Sequence, residues 1–228
     1  MAHPVSGKAL VLILAATLAG CQLLPRGEAS RPARGDARPA AAAATSTTAA
    51  DRQCFADLAR IGARFTPAPD RRGADGCIVT GAVDLESVPS DGGRIVVTNA
   101  APLRCETARA LAGWSRYGVE RSARDFLGSG LVRIETMGSY ACRNVAGTSR
   151  RSGHARAAAL DISAFVLKDG RRIAVVDDWF AGTDSERRFL RRIHESACKR
   201  FGTTLGPDYN TAHRDHFHVE TDGGGFCR

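Results

Sequence analysis

Residues 160–176, LDISAFVLKDGRRIAVV, contain two runs of β-forming residues with a turn signal between them. The runs are Leu160–Leu167 and Arg172–Val176, and Lys168-Asp169-Gly170 separates them. An Asp-Gly pair between two such runs is typical of a β-hairpin, whose strands are antiparallel. The stretch therefore predicts a sheet in which neighbouring strands are mostly antiparallel.

Three segments are predicted to be helices. Residues 53–66 and 100–116 carry apolar residues at approximately helical spacing. The third helix is the clearest, because Thr183 and Glu186 form a capping box in front of an apolar stripe. That stripe consists of Phe189, Leu190, Ile193, Ala197 and Phe201.

Strands and helices do not alternate regularly along the chain. The other β-like runs are Cys77–Val83, Gly93–Thr98, Leu131–Met137 and His216–Glu220. This order predicts an α+β fold, with a mostly antiparallel sheet and helices packed largely on one face, in a single disulfide-bonded domain.

The composition excludes several classes of protein. With 228 residues, of which 43% are hydrophobic and 25% charged, the chain has room for one sizeable domain and is not uniformly disordered. The charge-free apolar run near the N-terminus is too short to span a bilayer, which excludes a multi-span membrane protein. The net charge is +8, but no long basic run is present, so a nucleic-acid partner is not expected.

The N-terminus has the pattern of a bacterial export signal. Lys8 supplies a positive charge, and residues 9–16 form a short apolar stretch. Leu18-Ala19-Gly20-Cys21 resembles the lipobox of bacterial lipoproteins, which implies removal of residues 1–20 and lipidation of Cys21. Gln22 at the next position favours an outer-membrane anchor that faces the periplasm. The alternative is an ordinary cleaved signal with an incidental cysteine.

Residues 21–51 are predicted to be a spacer between this anchor and a domain over residues 52–228. The spacer is rich in Ala, Pro, Ser and Thr and has nothing that could pack into a core. Six of the seven cysteines lie in the domain, and this even number predicts three disulfides in an oxidising compartment. Many pairings are open; the sequential one is favoured here. It gives Cys54–Cys77, Cys105–Cys142 and Cys198–Cys227.

Four histidines of the domain fall into two clusters, residues 152–161 (SGHARAAALD) and 213–220 (HRDHFHVE). An extended His216-Phe217-His218 puts both imidazoles on one face of a sheet, while Phe217 enters the core. His154 and Asp161 need a turn between them to meet. Imidazole and carboxylate are the usual non-sulfur ligands of Zn²⁺, so the clusters predict a zinc site. The alternative is a set of satisfied or surface histidines.

The two clusters together resemble the zinc site of D-alanyl-D-alanine dipeptidases and carboxypeptidases and of related phage L,D-endopeptidases. The shared pattern is Ser-x-His-(x)4-Ala-x-Asp followed by Asp-x-x-His. The resemblance implies that His154, Asp161 and His218 bind zinc and that Asp215 is the general base. Two positions depart from it: Ala157 stands where Gly is common, and Asp215 stands where many members have Glu.

A closer resemblance covers nearly the whole C-terminal segment. Four segments resemble those of the extensin-like C-terminal domain family of bacteria: Gly138–Arg143, Ser152–Asp161, Leu205–Pro207 and Asp215–His218. That name implies neither a plant-type structural extensin nor an established reaction. The enzymatic expectation therefore comes from the resemblance to the peptidases.

Metal-assisted hydrolysis is the mechanism that this resemblance implies, with Asp215 moving a proton from water to the leaving amine. Arg143 corresponds to an arginine that holds the developing oxyanion or a substrate carboxylate, with a structural salt bridge as the alternative. His216 is expected to orient the site or contact the scissile carbonyl, and His213 to support the ligands from behind. Ser152 is expected to be a turn or cap residue rather than a nucleophile.

Three functions remain open at this point. The first is a membrane-anchored zinc peptidase that acts on peptidoglycan stem peptides, with those peptides and the membrane as its partners. The second is a wall- or metal-binding module that keeps the zinc geometry without catalysis, which Ala157 and the shorter Asp215 motivate. The third is a structural lipoprotein with incidental histidines. No specific protein partner is inferable.

Overall fold

A computed structural model describes residues 47–73 and 75–228. The helices are α1 (Ala49–Arg60), α2 (Cys105–Trp114), α3 (Arg121–Leu127), α4 (Val175–Ala181) and α5 (Asp184–Cys198). The strands are β1 (Arg64–Pro67), β2 (Arg71–Arg72), β3 (Ile78–Val79), β4 (Ala82–Ser90), β5 (Gly93–Val97), β6 (Leu103–Arg104), β7 (Leu131–Gly138), β8 (Ala159–Leu167), β9 (Arg172–Ala174), β10 (Thr203–Leu205), β11 (Phe217–Glu220) and β12 (Phe226–Cys227).

The predicted signal peptide, Cys21 and almost all of the predicted spacer lie outside the described residues. The last residues of that spacer are helical, because α1 begins at Ala49 behind the capping residue Thr48. Among residues 47–73 and 75–228, no helix has the length and apolar character needed to cross a bilayer.

One large sheet carries the fold, with strand order β1-β4-β5-β7-β8-β11-β10-β12. Strand β6 pairs with β4, and β9 pairs with β8. The pairs β5–β7 and β10–β12 are parallel, and the other pairs in this sheet are antiparallel. Strands β2 and β3 form a separate ladder. The predicted hairpin is present as β8–β9, and the α+β class is confirmed.

The helices pack on the sheet through one apolar core, to which all five contribute buried side chains. Phe165 of β8 lies at its centre, with ring centroids 6.1 Å from Trp114, 5.6 Å from Phe189 and 6.3 Å from Phe217. The three pairs are tilted or edge-on, the arrangement that aromatic quadrupoles favour. The predicted stripe of α5 faces this core, and its Thr183–Glu186 capping box is formed.

A bulge in β8 determines which side chains face away from this core. The pairing of β8 with β7 skips Ser163, and the extra residue shifts the alternation of side chains along the strand. Ile162 and Phe165 are therefore both fully buried, although they are three residues apart. Asp161 faces the other side of the sheet, beside His218, its register partner on β11.

Several predicted element boundaries are wrong for local reasons. The helix predicted over 53–66 ends at Arg60, because the chain turns through Gly62 in the left-handed region and continues as β1. The strand predicted over Cys77–Val83 is interrupted at Gly81, which also has a positive φ. The strand predicted over Arg172–Val176 ends at Ala174, because helix α4 begins at Val175.

Two of the three predicted disulfides are wrong. The bonds present are Cys54–Cys105, Cys77–Cys142 and Cys198–Cys227, so the sequential pairs Cys54–Cys77 and Cys105–Cys142 do not form. Helix α1 packs against α2, which brings Cys54 to the first residue of α2. The second bond ties the residue before β3 to the connection between β7 and β8. Tertiary packing rather than proximity in sequence therefore sets the pairing.

Candidate metal centre

Three segments bring the predicted zinc ligands together. His154 lies in a 3₁₀ turn, Gly153–Arg156, Asp161 in β8 and His218 in β11. The Ser152 hydroxyl accepts a hydrogen bond from the His154 backbone N–H at 3.3 Å, so Ser152 caps the turn, as the sequence predicts. The expected turn between His154 and Asp161 is present.

The ligand atoms of these residues converge on one point. Nε2 of His154 lies 3.1 Å from Oδ2 of Asp161 and 3.3 Å from Nδ1 of His218. Nδ1 of His218 lies 2.9 Å from Oδ1 of Asp161. Ligands about 2.0–2.1 Å from a tetrahedral Zn²⁺ are about 3.3 Å from one another, so this donor set fits zinc in type and spacing.

In His154 and His218, the ring nitrogen that points away from the cluster also has a polar partner. This partner leaves the other ring nitrogen to act as the ligand atom. Nδ1 of His154 lies 3.2 Å from the carbonyl oxygen of Ser139, which leaves Nε2 as the ligand atom. Nε2 of His218 lies 3.7 Å from Oε2 of Glu220, a largely buried carboxylate, which leaves Nδ1 as the ligand atom. A backbone carbonyl and a carboxylate are the usual outer partners of metal-bound histidines.

Glu220 and Gly153 were not among the predicted site residues. The alternation of a β-strand places Glu220 on the same face as His216 and His218, and this period-two pattern is the signal that could have found it. A Cβ at Gly153 would lie 1.8 Å from Oε2 of Glu220, so a larger residue there would displace this carboxylate. The glycine of the Ser-Gly-His sequence therefore makes room for the carboxylate behind His218.

The electrostatics of the cluster follow from burial and close charge pairing. Burial disfavours the ionised form of Asp161, but hydrogen bonds with His154 and His218 outweigh it and hold the pKa of Asp161 well below its usual value. Burial opposes the charging of His218, yet the Asp161 and Glu220 carboxylates raise its pKa to about 9. Burial and the positive charges of His216 and His218 lower the pKa of His213 to about 4.

His216 and Asp215 form a hydrogen-bonded pair beside the ligands. Nδ1 of His216 donates to Oδ1 of Asp215 at 2.8 Å, and Nε2 of His216 lies 3.5 Å from Oδ1 of Asp161. The His216 side chain is only 10% exposed, whereas the Asp215 side chain is 49% exposed. His216 is thus held in position at the edge of the ligand cluster by a carboxylate that itself faces solvent.

A cavity of about 650 Å³ opens onto the ligand cluster. Arg143, His213, His216 and His218 line it, together with Glu220. No acidic side chain pairs with Arg143 among residues 47–73 and 75–228, so the salt-bridge alternative for this residue finds no support.

His213 lies near the cluster, but it does not belong to the group whose donor atoms converge. Its Nδ1 lies 2.7 Å from Oδ1 of Asn210, and its ring centroid lies 5.2 Å from that of His216 and 5.8 Å from that of His218. A different group, His194 with Cys198 and Cys227, also has donor atoms close together. Both of its sulfurs are in a disulfide, so it offers no thiolate ligand.

The family model described as "Extensin-like protein C-terminus" matches residues 52–228. The chain belongs to this extensin-like family. The description names no reaction. No curated protein and no solved structure shows significant similarity to the chain.

The segments that carry the extensin-like resemblance meet at the candidate metal centre. Gly138 and Leu205 are register partners of Asp161 and His218, respectively. The first motif supplies His154 and Asp161, and the last supplies His218. The extensin-like pattern therefore corresponds to the frame that holds the ligands.

Ala157 ends the His154 turn, at the position where the sequence comparison with peptidases led us to expect glycine. Its backbone is left-handed, with φ 53° and ψ 26°, and its side chain is fully buried. Glycine adopts this conformation without the steric cost that an L side chain pays, which explains why glycine suits the position. With Ala157 in this conformation, Nε2 of His154 lies 3.1 Å from Oδ2 of Asp161.

Proposed function

We propose that this protein is a zinc-dependent peptidase that hydrolyses bonds in peptidoglycan stem peptides. The observation that carries the proposal is the convergence of His154, Asp161 and His218 within 2.9–3.3 Å of one another, beside a cavity of about 650 Å³ that His218 lines. These three residues would hold the ion. Zn²⁺ bound there would lower the pKa of a coordinated water to about 7 and polarise a carbonyl group.

Asp215 is the residue that we assign to proton transfer. Its Oδ1 accepts the hydrogen bond from His216, and no donor within the described part of the chain bonds its Oδ2. Oδ2 accepts a proton from the attacking water and returns it to the amine that leaves when the peptide bond breaks. His216 holds the carboxylate in place and lies next to the scissile carbonyl.

Arg143 is assigned to the negative charge of the substrate. Its guanidinium lines the cavity and has no acidic partner among the described residues. It is therefore free to bind a substrate carboxylate or the oxyanion that develops during hydrolysis.

The expected location is outside the cytoplasm, where peptidoglycan is accessible. Three disulfides support an oxidising compartment. Lipidation of Cys21 would anchor the protein to a membrane facing the periplasm, and the spacer would give the domain reach towards the wall.

Hydrolysis of muropeptides by the oxidised, zinc-loaded protein tests the proposal, with products identified by mass spectrometry. We expect cleavage by the wild type and a loss of about 100-fold or more in Asp215→Asn, which should retain its zinc. Arg214→Gln is the matched control, because Arg214 is the exposed neighbour of Asp215 and has no assigned role at the ligand cluster. A wild-type protein that holds zinc and leaves every stem-peptide bond intact would overturn the proposal and favour the non-catalytic wall-binding module.

A further inference from the structure

The connection between β7 and β8 contains a short hairpin over residues 143–152, which we call the arginine hairpin. Its two arms are joined by hydrogen bonds from the Ser152 N–H to the Arg143 carbonyl at 3.1 Å and from the Val145 N–H to the Arg150 carbonyl at 2.8 Å. The disulfide at Cys142 ties the start of the hairpin to the segment before β3. The hairpin is therefore a fixed wall of the cavity.

The alternation of side chains divides the arginines of this hairpin between two faces. Arg143 and Arg150 belong to the face that lines the cavity, together with Val145 and Ser152. Arg151 belongs to the opposite face and donates to the backbone carbonyl of Asp75. Because residue 145 pairs with residue 150, Arg143 and Arg150 are diagonal neighbours, about 7 Å apart at the backbone.

Some of the charged side chains that line the cavity have a partner of opposite charge, and others do not. Arg156 pairs with Asp222 at 2.6 Å, and Glu220 lies against His218. In the part of the chain that the structure describes, neither Arg143 nor Arg150 has an acidic partner. Two arginines that line the cavity therefore have no acidic partner within the described residues.

We propose that the arginine hairpin selects peptides that carry two carboxylates, with Arg150 binding the second carboxylate beside the one held by Arg143. Guanidinium binds carboxylate through two parallel hydrogen bonds, which makes this recognition both strong and geometrically specific. The inference rests on the proposed function, because it names the class of peptide that this site takes. Arg150 is a specificity residue and takes no part in bond cleavage.

Calorimetric binding of two synthetic tetrapeptides to the oxidised, zinc-loaded protein tests this assignment. One peptide carries a C-terminal and a side-chain carboxylate, and the other has the side-chain carboxylate converted to an amide. We expect the wild type to prefer the dicarboxylate peptide by about tenfold, the value of one charge-assisted hydrogen bond. Arg150→Gln should abolish this preference by weakening the binding of the dicarboxylate peptide alone. Arg151→Gln, on the other face of the hairpin, should keep the preference.

A wild type that binds the two peptides equally, or an Arg150→Gln variant that keeps the preference, would overturn the assignment. An equal loss in Arg151→Gln would also overturn it, because the effect would then come from the hairpin as a whole. Failure of the proposed function is distinguishable from these results. In that case the wild type still prefers the dicarboxylate peptide in the calorimeter but releases no hydrolysis product on prolonged incubation.

Discussion

Nε2 of His218 lies 3.7 Å from Oε2 of Glu220, two residues further along the same strand, while Nδ1 of His218 faces Asp161 at 2.9 Å. The ring is therefore held between two carboxylates. One belongs to the ligand set, and the other orients the ring from behind. This relationship makes Glu220 a positioning residue whose effect is measurable in metal binding.

Replacing Glu220 by glutamine should weaken zinc binding by about tenfold or more, because outer partners of metal-bound histidines typically contribute that much. Competition with a chromophoric chelator measures the dissociation constant. Asp222→Asn is the matched control, since Asp222 is a nearby half-buried carboxylate paired with Arg156 rather than with a ligand. Equal zinc affinities in Glu220→Gln and wild type would remove Glu220 from the metal centre.

Gly153→Ala should weaken zinc binding through the same carboxylate. The added Cβ would lie 1.8 Å from Oε2 of Glu220, so the carboxylate must move away from His218. The double variant with Glu220→Gln should lose little more affinity than either single variant, because both changes disrupt one contact. Gly224→Ala is the control, as no atom lies within 4 Å of its added Cβ. Fully additive losses in the double variant would show that Gly153 acts on the site by another route.

Zinc affinity should rise with pH. The Asp161 and Glu220 carboxylates raise the pKa of His218 to about 9 in the metal-free protein, so its ring is charged at neutral pH. Zinc binds only the neutral ring, and binding below that pKa must release the proton. The apparent affinity is therefore expected to increase by about tenfold per pH unit between pH 6.5 and 8.5. A chelator titration that gives the same affinity across this range would contradict the assignment.

The buried carboxylate of Glu120 should contribute to the free energy of unfolding and not to zinc binding. It accepts a hydrogen bond from the Leu131 N–H at 2.6 Å and two from Arg124 at 2.6 and 3.0 Å. Glu120→Ala leaves the buried N–H without a partner and should lower the free energy of unfolding by about 2–3 kcal/mol. Denaturant unfolding measures this loss, with exposed Asp125→Ala in the following helix α3 as the control. A Glu120→Ala variant as stable as this control would show that the contact contributes nothing.

The sequence predicts the parts of this protein that depend on local patterns. The capping box at Thr183, the apolar stripe of α5 and the β8–β9 hairpin are all present, because each is encoded within a few residues. His154, Asp161 and His218 also lie together as predicted. That prediction depended on the resemblance to the peptidase pattern, because the spacing of the residues alone does not bring them together.

Features that depend on tertiary packing were not predictable in the same way. The pairing of Cys54 with Cys105 follows from the packing of α1 on α2, which no local pattern encodes. The bulge at Ser163 changes which residues of β8 face the core. A prediction that assumes regular alternation of side chains along the strand assigns these residues to the wrong faces. The role of Gly153 appears only when the Glu220 carboxylate is placed against it.

The zinc content of the oxidised protein shows whether His154, Asp161 and His218 hold a metal ion. Elemental analysis after exhaustive dialysis should find about one zinc per chain in the wild type. It should find none in His154→Ala and His218→Ala, because each removes one of only three protein ligands. His213→Ala, which removes a neighbouring histidine outside the ligand set, should keep its zinc. A wild type without stoichiometric metal, or a His213→Ala variant that loses zinc as completely as His154→Ala, would show that these three residues are not the zinc site.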